Sequence, residues 1–93
     1  MLREEFIPVK AKNLKVIDHL GTLYATFNGS SIWRIDKVAF GILKLCDGKK
    51  TIKQLIKEVA DKIGFEPKHV KRVVLEILEE LRRKRFIEIK KKV

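Results

Sequence analysis

Hydrophobic and polar positions alternate with a period of two in the first third of this chain, which is the pattern of half-buried β-strands. Between residues 14 and 19, Leu14 and Val16 fall on one face, opposite Lys15 and Ile17. Strand-forming β-branched and aromatic residues recur in two further segments, at 23–27 and 31–35. These three segments predict three β-strands.

Turn residues separate the predicted strands. Gly21 follows the first strand, and Asn28-Gly29 follows the second. The Asn-Gly dipeptide favours the positive φ angles of a tight hairpin. Residues 1–13 lack a regular pattern and are interpreted as an irregular lead-in. The first third of the chain therefore predicts a small antiparallel sheet of three strands.

The pattern changes to a helical period after the third predicted strand. Asp36 is a good N-cap for an apolar helix that runs to about Cys46, and we expect this helix to be buried on several sides. Thr51 and Gln54 form a capping box that opens a second helix, and Gly64 is suited to end it. The apolar stripe of the second helix comprises Ile52, Leu55, Ile56, Val59, Ala60 and Ile63.

A third amphipathic helix is predicted from Pro67, at the first helical position, to about Arg85. Its apolar stripe comprises Val70, Val73, Val74, Ile77, Leu78 and Leu81. Residues 86–89 form a possible short C-terminal strand. The fold class is therefore α+β and winged helix-turn-helix-like, with a three-stranded N-terminal sheet followed by three helices. The length predicts a single domain over 1–93.

Composition makes the chain strongly basic, with 22 Lys and Arg residues, 12 Asp and Glu residues and a formal net charge of +10. Such a charge attracts polyanions or acidic peptides. Residues 90–93 are interpreted as a basic tail. Lys, Glu and Ile are abundant while Asn and Gln are sparse, a balance that resembles hyperthermophile usage and suggests a thermophile.

The sequence contains no set of residues arranged for catalysis or for metal binding. Its glycines are isolated, its one cysteine is Cys46, and its two histidines, His19 and His69, are far apart. We therefore predict a protein that is not an enzyme and that binds no metal or organic cofactor. There is no apolar run of membrane-spanning or signal-peptide length, so we expect a cytoplasmic protein with no membrane partner.

One ordered set of motifs is more informative than any single residue. A hairpin precedes Ile35-Asp36, a helix ends in Leu45-Cys46-Asp47-Gly48, and Lys50-Thr51-Ile52 leads an amphipathic helix. Over roughly residues 14–89, this order resembles the PqqD family, that is, coenzyme PQQ synthesis protein D and its relatives. The resemblance implies a non-catalytic adaptor that binds the leader of a ribosomally made precursor peptide. The adaptor would present that peptide to a radical SAM or other modifying enzyme.

The resemblance also implies a binding site. In PqqD-like domains the leader is added beside the third strand, in a groove formed with the third helix. Carried over to this chain, the peptide-binding residues are Ser31, Ile32, Trp33, Arg34, Ile35, Lys71, Val74, Leu75 and Leu78. Leu75 lies off the core stripe, and Trp33 next to Arg34 offers an apolar anchor beside a carboxylate-binding group. On sequence alone Trp33 is equally well interpreted as core.

A second hypothesis is a winged-helix DNA-binding protein. The net charge and the helix-turn-helix layout favour it. Against it, Glu76, Glu79 and Glu80 occupy the central part of the third helix, where phosphates would repel them. We therefore rank peptide binding above DNA binding and predict that any contact with DNA is weak and non-specific.

Overall fold

The structure is a computed structural model that describes residues 2–91. In this part of the chain, short strands precede and follow three helices, which gives the α+β class that the sequence predicted. The elements in chain order are β1 (Ile7–Lys10), β2 (Lys15–His19), β3 (Thr22–Thr26), β4 (Ile32–Ile35), α1 (Lys37–Leu45), α2 (Ile52–Ile63), α3 (Pro67–Arg83) and β5 (Ile87–Lys90).

The predicted three-stranded antiparallel sheet is confirmed, with the strand order β2-β3-β4. In its register, Ala25 of β3 lies opposite Val16 of β2 and Trp33 of β4. The β2–β3 turn consists of Leu20 and Gly21, whose φ angles are 53° and 86°. Two consecutive positive φ angles are characteristic of the two-residue hairpins that match strand twist.

The Asn28-Gly29 segment differs from the tight hairpin that the sequence suggested. Thr26 pairs with Ile32, so five residues, 27–31, connect β3 to β4. The Asn28 side-chain oxygen accepts hydrogen bonds from the Ser30 and Ser31 backbone N–H groups at 2.9 and 3.2 Å. These bonds form an Asx-type turn within the five-residue loop.

The interpretation of residues 1–13 as an irregular lead-in is wrong for Ile7–Lys10, which form β1. The predicted C-terminal strand is confirmed as β5, and it pairs with β1 in a separate two-stranded antiparallel sheet. Lys90, placed in the predicted basic tail, pairs with Ile7 in this sheet. The last two residues of that tail lie outside the described residues.

The helix boundaries follow the capping signals in the sequence. The Asp36 carboxylate accepts a hydrogen bond from the Ala39 backbone N–H at 2.7 Å at the start of α1. Thr51 and Gln54 form the predicted capping box of α2, and Gly64 ends that helix with a φ of 76°. Pro67 is the first residue of α3. These local signals position each helix relative to the strand or loop before it.

The core lies between the inner face of the three-stranded sheet and the helices, and three expectations about it are corrected. Helix α1 is not buried on several sides, because only Ile42 and Leu43 are buried and Val38 is exposed. Ile63 of α2 and Val73 of α3 are 52% and 53% exposed. Each of these side chains lies at the border of an apolar stripe that is wider than the surface it packs against.

The helices in the described part of the chain are either too short or too polar to cross a membrane.

Candidate functional site

The outer edge of β4 is the first part of the candidate site. Strand β4 pairs with β3 on one side, and within residues 2–91 no strand covers its other side. Half of its backbone N–H and C=O groups therefore face away from the sheet. Such an edge is able to accept one more strand from a partner, which satisfies these groups. Strand β2 forms the opposite edge of the same sheet and is also uncovered there.

Local contacts hold β4 at both of its ends. At its start, the Thr26 hydroxyl donates a hydrogen bond to the Ser31 carbonyl at 2.7 Å and accepts one from the Gly29 N–H at 2.8 Å. At its end, Ile35 is buried in the core and Asp36 caps α1. The edge is therefore presented by a strand whose position is fixed.

Trp33 places an aromatic surface next to this edge. Its ring contacts Phe27 with centroids 6.3 Å apart and Phe86 with centroids 5.6 Å apart, both in edge-to-face arrangements. Trp33 is still 36% exposed. The exposed part of the ring lines a depression of about 720 Å³, together with Ala11, Lys12, Asn13, Phe27, Lys84, Arg85 and Glu88.

The other predicted residues of β4 alternate about the strand. Ile35 shares the inner face with Trp33, whereas Ile32 and Arg34 lie on the outer face. Arg34 is exposed and forms no ion pair within residues 2–91. Its guanidinium is therefore available to a carboxylate of a partner. Ser31 is exposed in the loop that precedes β4.

Helix α3 lines a second depression, of about 770 Å³, on a different part of the surface. Its apolar residues are Leu75 and Leu2, and Lys71 lies at its border. The Lys71 ammonium group pairs with the Glu4 carboxylate at 3.1 Å, which ties the N-terminal segment to α3. The remaining lining residues are charged: Lys68, Arg72, Glu76, Glu79, Glu80 and Arg83.

The predicted site residues therefore fall into two groups rather than one groove. The depression at Trp33 is bordered by the end of α3, at Lys84 and Arg85, whereas Lys71 and Leu75 line the depression that contains Leu2. Val74 and Leu78 are fully buried, so the structure assigns them to the core beneath α3 and not to a contact surface.

Sequence reasoning did not include Phe27, Phe86 and Leu2 in the site. Phe27 and Phe86 are the terminal aromatic residues of predicted strands and lie just outside the observed β3 and β5, where their rings pack against each other. Leu2 belongs to the segment interpreted as irregular. Phe27 and Phe86 could have been identified from the sequence, because they are aromatic and stand at the ends of strands. The contribution of Leu2 could not, because it requires the N-terminal segment to dock on α3.

The charges of α3 bear on the DNA-binding alternative. Its carboxylates pair with arginines on the same helix: Arg72 with Glu76 at 3.2 Å, Arg82 with Glu79 at 3.4 Å and Arg83 with Glu80 at 2.8 Å. These exposed pairs contribute little to stability. They do leave this helix with alternating charges rather than a continuous basic face of the kind that phosphates require.

Two features of the described residues concern metal binding and thiol chemistry. Among residues 2–91, no three His, Cys, Asp or Glu side chains lie close enough together to hold a metal ion. The Cys46 thiol is buried, and burial together with the neighbouring charge of Asp47 raises its pKa to about 12. Since the thiolate is the reactive form, this thiol is a poor nucleophile near neutral pH.

Comparison with known proteins gives one match. The family model described as coenzyme PQQ synthesis protein D (PqqD) matches residues 16–87. The matched region begins in β2 and ends in β5, so it includes the whole three-stranded sheet apart from the first residue of β2, and all three helices. No curated protein and no solved structure gives a significant match to the chain.

Proposed function

This chain belongs to the PqqD family, and we propose that it is a peptide-binding adaptor that presents the leader of a ribosomally made precursor peptide to a modifying enzyme. PqqD proteins are non-catalytic accessory proteins, and membership of the family is consistent with a role in binding partners during biosynthesis of coenzyme PQQ or of modified peptides. A radical SAM enzyme is the modifying enzyme that we propose.

The uncovered edge of β4 is the observation that carries this proposal. A leader that adds a strand there gains backbone hydrogen bonds along β4, which supply affinity with little dependence on sequence. Selectivity then comes from side chains near the edge. Trp33 offers part of a large ring in a depression, and Arg34 offers a guanidinium to a carboxylate of the leader. These features favour an extended peptide with apolar and acidic residues.

The leader would bind in two parts. One part would lie as a strand along β4, and a neighbouring segment would enter one of the two depressions, at Trp33 or at Leu75. The net charge of +10 attracts an acidic leader to either depression. The proposal therefore retains Ser31 to Arg34, Lys71 and Leu75 as contact residues, whereas the side chain of Ile35 is buried in the core.

Proline substitutions at adjacent residues of β4 test the edge. Neighbouring residues of an antiparallel strand alternate between pairing with the partner strand and facing away from it. One of the variants Trp33→Pro and Arg34→Pro removes a backbone N–H that hydrogen-bonds to β3, and this variant should destabilise the fold. The other removes a backbone N–H that faces away from β3. This second variant should keep the fold and lower leader affinity by about fivefold or more.

The titrations would use a synthetic leader taken from a short peptide gene sought among the neighbours of this gene, with thermal unfolding measured for every variant. Trp33→Ala and Arg34→Ala are the matched controls, because each removes the side chain and keeps the backbone donor. Lys15→Pro and Val16→Pro apply the same test to the edge of β2. Loss of leader binding only in the β2 variants would contradict the assignment to β4.

A further inference from the structure

The outer face of the three-stranded sheet carries an apolar surface that the peptide-binding proposal uses only at its border on β4, at Ile32 and Arg34. Side chains alternate between the two faces of a sheet, and the register places Ile17, Tyr24 and Arg34 in one row across β2, β3 and β4. Ile17 is 50% exposed and Ile32 is 59% exposed. They line a hollow of about 330 Å³ with Tyr24, His19 and Thr26.

Among the polar groups of this outer face are one satisfied hydroxyl, that of Thr26, and two cations, Lys15 and Arg34. The Thr26 hydroxyl is engaged by Ser31 and Gly29, so it does not need a partner in the hollow. Lys15 lies opposite Thr26 and shares the face with Ile17 and Arg34. Neither Lys15 nor Arg34 forms an ion pair within residues 2–91.

A contiguous exposed apolar patch, unlike a single exposed side chain, marks an interaction surface, and Ile17, Tyr24 and Ile32 line one hollow. We propose that the outer face of the sheet, defined by Lys15, Ile17, Tyr24, Ile32 and Arg34, is the docking surface for the peptide-modifying enzyme. The partner surface has an apolar centre that covers Ile17 and Ile32, with Asp and Glu residues beside it that meet Lys15, while Arg34 at the border remains available to the leader. This inference rests on the proposed function and adds to it the place and the chemistry of the enzyme contact.

The net charge of the chain and the position of this face beside β4 favour an acidic enzyme over a second copy of the chain. A second copy of the chain would bring another net charge of +10 to the same surface, and that repulsion opposes self-association. An acidic partner is attracted by the same charge. The face also adjoins the peptide edge, because Ile32 and Arg34 belong to β4. An enzyme docked on the outer face would therefore lie next to a leader bound along β4.

Substitutions on β2 test the inference without altering the peptide edge on β4. A radical SAM or other peptide-modifying enzyme, sought among the products of the neighbouring genes, would be purified and titrated with Ile17→Glu. The matched control is Ile63→Glu, whose isoleucine on α2 is 52% exposed. Ile17→Glu should weaken enzyme binding by about tenfold or more, since it places a charge in the apolar centre. Ile63→Glu should bind the enzyme as tightly as the unsubstituted protein does. Both variants should bind the leader with unchanged affinity.

Charge reversal gives a second measurement. Lys15→Glu should slow association with the enzyme and reduce its dependence on salt, because the cation that steers an acidic partner has been replaced. Lys57→Glu on the exposed side of α2 makes the same change in net charge away from the sheet and is the control. Equal effects of the two variants would show that net charge acts and not this face, and would overturn the inference.

The other outcomes are equally distinct. Enzyme binding that Ile17→Glu leaves unchanged would overturn the inference, as would a protein that binds leader but no enzyme.

A dimer in sedimentation that Ile17→Glu dissociates would assign the face to a second copy. Ile17-dependent binding to phosphatidylglycerol vesicles without enzyme binding would assign it to a membrane. Failure of the leader to bind any variant, with enzyme binding intact, would contradict the peptide proposal and leave the docking surface standing.

Discussion

The ring of Trp33 meets the ring of Phe86 edge to face, with centroids 5.6 Å apart and ring planes at 77°. Trp33 belongs to β4 and Phe86 directly precedes β5, so this contact connects the three-stranded sheet to the segment that follows α3. Phe86 is buried, whereas Trp33 remains 36% exposed. Trp33 thus contributes part of its ring to the core and leaves the rest accessible to a ligand.

Replacement of Trp33 by alanine should lower both stability and leader affinity. The substitution removes the packing on Phe27 and Phe86, and it should reduce the free energy of unfolding by about 2–3 kcal/mol, below the cost for a fully buried tryptophan. Trp33→Phe retains an aromatic ring and should lose less. Urea unfolding measures the effect on stability. A Trp33→Ala protein as stable as the original would show that the aromatic contacts contribute nothing.

The capping box of α2 gives a prediction that concerns stability alone. The Gln54 backbone N–H donates to the Thr51 hydroxyl at 3.2 Å, and the Thr51 N–H donates to the Gln54 side-chain oxygen at 2.8 Å. Thr51→Ala should therefore cost about 1 kcal/mol in the free energy of unfolding. Thr51→Ser keeps a hydroxyl and is the matched control. A loss of the same size in both variants would attribute the effect to the threonine methyl group.

The helix starts were predictable from the sequence because caps act locally. Asp36, Thr51 and Pro67 each occupy the position that their side chain favours, and the partners of the first two are three residues away. The three-stranded sheet was predictable for a similar reason, since its strands are consecutive. Within this sheet, the loop after Thr26 is longer than the tight hairpin that Asn28-Gly29 suggested, and the Asn28 side chain bonds to N–H groups inside it.

Strand β1 was not predictable in the same way. Its sequence contains Pro8, which lacks an N–H and argues against a strand. Its partner β5 is about 80 residues away along the chain, where Ile7 pairs with Lys90. Local patterns contain no information about such a pairing. The division of the predicted groove into two depressions has the same origin, because Leu2 reaches α3 only through the docking of the N-terminal segment.

The lowered pKa of Asp47 predicts how the stability of the fold changes with pH. Its carboxylate accepts hydrogen bonds from the Lys49 backbone N–H at 2.9 Å and the Lys50 ammonium group at 3.0 Å, and these bonds lower its pKa from 3.8 to about 2. The folded state therefore favours the charged carboxylate more than the unfolded state does. The resulting stabilisation is present above pH 4 and should be lost as the pH falls from about 4 to about 2.

Asp47→Asn checks this assignment, because asparagine keeps an accepting oxygen and does not titrate. The variant should be less stable than the unsubstituted protein at neutral pH, and the two should converge as the pH approaches 2. Thermal unfolding between pH 2 and pH 7 measures the difference. A difference that stays constant over this range would show that Asp47 acts through turn geometry and not through its charge.

Leu75 tests whether the depression on α3 takes part in peptide binding. Leu75 packs partly against the core and lines that depression with Leu2 and Lys71. If the leader contacts it, Leu75→Glu should weaken leader binding by about 1–3 kcal/mol through lost apolar contact. Val73→Glu is the matched control, because Val73 is an exposed apolar residue of the same helix outside the depression.

Thermal unfolding of both Leu75→Glu and Val73→Glu separates a loss of affinity from a loss of folding. Equal leader affinities for the two folded variants would confine the peptide to β4 and the depression at Trp33.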